Sequence, residues 1–91
     1  MAGAPVRVVL PAALAALFPG APREMLLAAG SVAEALAALD RRFPGMGACL
    51  CDSRPAIRRH ISVFVDGARA SLATPLPPGG EMLVMTAISG G

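Results

Sequence analysis

A chain of 91 residues is expected to form one domain, spanning residues 1–91, with a modest core, its length leaving no room within it for a second. The hydrophobic fraction of 55% rests on Ala, Leu, Val and Met, with Phe18, Phe43 and Phe64 as the aromatics, so aliphatic side chains must build the core and also reach the surface. A net charge of +2, made entirely with Arg and no Lys, is too small and too scattered to mark a nucleic-acid surface.

Val6, Val8 and Leu10 alternate with Arg7 and Val9, the period-two pattern of a half-buried strand. Pro11 ends its pairing, and Ala12 to Phe18 is expected as a short helical turn or apolar loop. Arg7 and the apolar run after it imitate a secretion signal, but cleavage there would remove the first strand. Interrupted by Pro11 and Pro19, the run is also too short to span a bilayer. Pro19-Gly20-Ala21-Pro22 forces a reversal, and Arg23 to Ala28 returns as the second strand of a hairpin, Met25 and Leu27 alternating with Glu24 and Leu26.

Gly30-Ser31 opens a helix. Ser31 caps it, Glu34 reaches back as in a capping box, and Val32, Leu36, Leu39 and Phe43 recur at helical spacing. Arg41 and Arg42 suit the negative end of the dipole, and Pro44-Gly45 is the stop. Met46 to Asp52 is expected as a short helical segment and Ser53 to Ala56 as a loop. Ile61, Val63 and Val65 then alternate with His60, Ser62, Phe64 and Asp66 in what reads as the central strand, and Asp66-Gly67 is a hairpin turn leading to a short strand over Ala68 to Leu72. A Pro- and Gly-rich connection over Ala73 to Gly80 delivers the last strand. Its Met82 and Val84 are expected to face the helix, and Leu83 and Met85 the other side. One amphipathic helix between hairpins, laid across a sheet, gives an α+β fold of the β-grasp type.

The outward positions Val9, Phe64, Leu83 and Met85 would share the sheet face that no helix covers, and a contiguous apolar group there points to a partner surface. Burial against Ala12–Phe18 is the alternative. Cys49 and Cys51 lack the spacing and partners of a zinc or redox site, so they read as reduced thiols of a cytoplasmic protein; the helix-like register of their segment gives Cys51 a packing role and leaves Cys49 outside. His60 has no companion at a catalytic spacing, and Arg7, Arg58 and Arg59 read as a solvated basic face. No metal site, catalytic set or phosphate-binding loop is expected.

The chain is read as ending in Ile88-Ser89-Gly90-Gly91. Two terminal glycines close no turn and cap no helix, yet glycine loses the most entropy on ordering, so they suit an end that threads a narrow tunnel. At about 3.3 Å per residue the four residues reach roughly 13 Å. Together the segments resemble the ubiquitin-like sulfur carriers of the MoaD/ThiS family: Val6 to Pro11 as first strand, Ser31 to Leu36 as helix start, Phe43-Pro44-Gly45 as helix stop, Arg58 to Gly67 as central hairpin, and Ala87 to Gly91 as tail. Ser89 stands where a small apolar residue is usual, Thr86 where Pro is frequent, and Asp66-Gly67 where Asn is common.

The resemblance implies a mixed sheet of four to five strands packed on one main helix, with a flexible diglycine tail. It implies a carrier, not an enzyme: Gly91 is adenylated by a ThiF/MoeB-like partner that itself binds the ATP, becomes a thiocarboxylate, and gives sulfur to an acceptor on a third protein. This chain would bind no cofactor. In the family the corresponding face docks on the activating enzyme while the tail enters its active site; in this chain Met85, just before the tail, is the contact expected foremost. Molybdopterin synthesis, with the chain as small subunit on a MoaE-like large subunit, leads; thiamine thiazole or cysteine synthesis follows, ThiS-like carriers being shorter. A protein modifier joined through Gly91 to a Lys of its target, and a plain interaction module, are the other classes. Neither membrane nor nucleic acid is expected as a partner.

Overall fold

The N-terminal alternation becomes strand β1, Val6–Val9, in a computed structural model that describes residues 4–51 and 56–86. Val6, Val8 and Leu10 are buried, while Arg7 points out. Pro11 has no N–H to continue the ladder, and the chain turns into the single-turn helix α1, Ala12–Ala15, which places Leu14 in the core. Strand β2, Glu24–Leu27, returns antiparallel to β1, with Val8 opposite Met25 and Val9 opposite Glu24. Its Met25 and Leu27 are buried.

Helix α2, Val32–Arg42, starts as its sequence dictates: Ser31 Oγ accepts the Glu34 N–H at 3.2 Å. The Glu34 carboxylate reaches one residue further back than in a standard capping box, accepting the Gly30 N–H at 2.8 Å. Residues 72–76 run alongside the helix start, where the Leu72 and Thr74 carbonyls accept the Ala33 and Val32 N–H groups and the Gly30 carbonyl accepts the Leu76 N–H. Every orphan donor of the first turn thereby has an acceptor. The Pro-rich connection is therefore more than a delivery segment, and its Leu76 is a core residue that the sequence reading missed.

Gly45, at φ +99°, ends the α2 region, and helix α3, Met46–Leu50, follows with Met46 and Leu50 fully buried. Strand β3, Ile61–Val65, buries Ile61, Val63 and Val65; Asp66 (φ +49°) and Gly67 (φ +87°) then form a turn with both central residues left-handed. Strand β4 is Ala68–Arg69, shorter than expected because Ser71 and Thr74 close a turn of their own. Strand β5, Glu81–Thr86, buries Met82 and Val84.

The five-stranded sheet has the order β2-β1-β5-β3-β4, so β5, and not β3, is its centre. β5 is parallel to β1 and antiparallel to β3, which makes the sheet mixed. Val32, Ala35, Leu36 and Leu39 of α2 join the inward strand residues in one cluster. The result is an α+β β-grasp architecture.

Candidate functional site

Strand alternation and register together build the face opposite α2. Val9 pairs with Leu83 and Leu83 with Phe64, so three apolar side chains from β1, β5 and β3 form a cross-strand row. The row continues to Glu24 of β2 beyond Val9 and to Arg69 of β4 beyond Phe64. Val9, Leu83 and Phe64 are half-buried; Met85, opposite Ser62, is 48% exposed. Leu26, 59% exposed at the β2 edge, adds to the apolar area.

The Ala12–Phe18 segment flanks this face through Ala12, beside Val9, Leu83 and Met85, but does not bury it, as Met85 remains exposed. Leu14 is a core residue, and Phe18 packs against the core beside Gly45, at the turn between α2 and α3. Arg7 of β1 is tied to Glu24 at 2.9 Å and lies 3.9 Å from Glu81, pairs too exposed to contribute more than about 1 kcal/mol.

Parallel pairing stops at Val9 and Leu83, whereas β5 continues to Thr86 against Ile61. Thr86 thus borders two shallow apolar grooves. One runs over Val9, Pro11, Ala12, Leu83 and Met85. The other is lined by Ala13, Leu14, Leu17, Cys49, Arg58, His60 and Ile61. Cys49, expected outside, is half-buried here, and Cys51 is also half-buried at the end of α3, where its backbone bridges Ile57. Arg58 is not a loose surface cation either: its Nε donates to the Ala48 carbonyl at 2.7 Å and its backbone N–H to Leu50, clamping α3 onto the start of β3. No local sequence signal announces that clamp. Arg59 and His60 are exposed.

Among the described residues no group of three His, Cys, Asp or Glu side chains is placed to hold a metal, and no helix is long and apolar enough to cross a membrane. Ile88, Ser89, Gly90 and Gly91 lie outside the described residues.

No family model and no curated protein sequence matches the chain. Solved structures do. A chain of the Amycolatopsis orientalis BexX/CysO complex superposes with a TM-score of 0.84 at 22% identity, covering 94% of this chain and 99% of that one. SAMP1 from Haloferax volcanii gives 0.80 at 25% identity, covering 94% and 98%. Mycobacterium tuberculosis CysO gives 0.80 at 18% identity, covering 91% and 99%. Near end-to-end coverage in both directions means that the same elements occur in the same order without large insertions. The chain has the ubiquitin-like β-grasp fold of the MoaD/ThiS-like proteins.

Proposed function

We propose that this chain is a sulfur carrier: a partner enzyme adenylates the Gly91 carboxyl and sulfur then replaces AMP to leave a thiocarboxylate. The observation that carries the reading is the place of β5. The strand that precedes Ile88-Ser89-Gly90-Gly91 in the sequence is the middle strand of the sheet, held by β1 on one side and β3 on the other, and its outward Leu83 and Met85 belong to the bare apolar face. A rigid strand next to a docking surface suits an end that must enter another protein's active site.

The carboxyl of a terminal glycine has a reference pKa of about 3.3–3.7, so at neutral pH it is a carboxylate and a poor electrophile. Attack of its oxygen on the α-phosphorus of ATP expels pyrophosphate and leaves an acyl adenylate. A sulfur nucleophile then adds at the carbonyl and AMP departs. In this reading the ThiF/MoeB-like partner binds ATP and performs both steps in the cytoplasm; the chain contributes the docking face, through Val9, Phe64, Leu83 and Met85, and the tail. The acceptor assignment is molybdopterin synthesis with a MoaE-like partner, which rests on the sequence resemblance; the solved structures bearing the name CysO favour another acceptor within the same chemistry.

A second reading, a protein modifier joined through Gly91 to a Lys of a target, is favoured by the likeness to small archaeal modifier protein 1. Having no Lys, the chain would build no side-chain isopeptide polymers on itself. Intact-mass measurement after incubation with an adenylating enzyme, ATP and a sulfur source separates the two. The carrier gains the mass difference between one sulfur and one oxygen. An unchanged mass beside an enzyme shown to be active overturns the carrier reading, and a covalent adduct to a Lys of another protein supports the modifier.

A further inference from the structure

The row Glu24, Val9, Leu83, Phe64, Arg69 crosses the sheet from one edge strand to the other, with an acid at one end, a cation at the other and three apolar side chains between. With neighbouring strands about 4.8 Å apart it is about 19 Å long. Arg69 is exposed, and its side chain has no hydrogen-bond or ion-pair partner among the described residues. Glu24 engages Arg7 through Oε1, and its side chain remains 57% exposed, with room for a second guanidinium.

We infer that a second copy of this chain covers this face, in a two-fold dimer whose sheets pack face to face about an axis running along β5. An isologous interface must be complementary to itself. About this axis the row meets its own reverse: Glu24 meets Arg69 of the second copy, Val9 meets Phe64 of the second copy, and Leu83 meets its own counterpart, across the roughly 10 Å that separates stacked sheets. A two-fold axis along the row would instead oppose Glu24 to Glu24 and Arg69 to Arg69, so the charges select one axis. An occupant that presents the reversed order of charges around an apolar centre complements this face, and this chain itself carries that order. The like-charged meeting is Glu81 with its counterpart near the axis, each with an Arg7 at 3.9 Å.

The dimer would cover the surface that the activating enzyme takes in the proposed function, so self-association and loading compete. It requires neither Gly91 nor that enzyme, and the two readings fail separately.

Sedimentation equilibrium of the full chain over the micromolar to millimolar range tests the inference. Wild type self-associates. Arg69→Glu and Glu24→Arg, each shown to be folded by circular dichroism, raise the dissociation constant at least about tenfold. Mixing the two variants restores association, because the mixed pair again opposes Arg to Glu at both ends. Glu81→Gln tightens the dimer. A wild type that stays monomeric throughout, a folded Arg69→Glu that associates like wild type, or a mixture of folded variants that stays monomeric overturns the proposal; should Glu24→Arg fail to fold beside Arg7, Arg69→Glu alone decides.

Discussion

Asp66 and Glu81 bond to each other twice: the Asp66 N–H donates to the Glu81 carbonyl at 3.0 Å, and Asp66 Oδ1 accepts the Glu81 N–H at 2.9 Å. The pair ties the β3–β4 turn to the first residue of the central strand, 15 residues further on. Asp66 does this from a left-handed conformation (φ +49°), which Asn and Asp tolerate better than most residues. Asp66→Asn keeps both the conformation and an acceptor oxygen, so urea unfolding should show a near-neutral change. Asp66→Ala removes both and should cost about 1–2 kcal/mol.

Met85→Asp should leave the domain folded and weaken binding to an adenylating enzyme, because Met85 is half exposed on the bare face and a carboxylate in an apolar interface is costly. Phe64→Asp should weaken binding as well, with a larger loss of stability, since Phe64 is half-buried between Leu83 and Arg69. Titration calorimetry against the enzyme, paired with thermal unfolding, checks both. Undiminished binding by both folded variants removes this face from the docking surface.

Deleting Gly90 and Gly91 should leave thermal unfolding unchanged and abolish thiocarboxylate formation. Glycines bring no side chain to the core, and among the described residues the buried core extends to Val84. A clear drop in melting temperature would mean that the tail packs; loading that survives the deletion would remove Gly91 from the chemistry.

Cys49→Ser should preserve sulfur transfer, because a Gly91 thiocarboxylate is itself the donor. The groove location makes this a sharper test than sequence distance suggests, since Cys49 and Thr86 line the same groove. Cys51→Ser should cost about 1 kcal/mol, the low end for placing a hydroxyl among apolar groups, as Cys51 is half-buried and not enclosed. Lost transfer in a folded Cys49→Ser protein would point to a thiol relay through the groove.

Local physics made much of this fold legible in the amino-acid order alone. Alternation assigned Val6, Val8, Met82 and Val84 to the core and Val9, Leu83 and Met85 to the opposite face, because a strand has a period of two whatever it pairs with. Ser31 and Glu34 declared the start of α2, and Asp66-Gly67 the hairpin, because caps and turns are closed within a few residues. Partners distant in sequence were decided by tertiary structure. That β5 and not β3 is central, that Leu83 stands between Val9 and Phe64, that residues 72–76 cap α2 and bury Leu76, and that Cys49 shares a groove with Thr86 all depend on which strands and loops meet. Those meetings are set by burial summed over the whole core, a quantity that no short window of sequence contains.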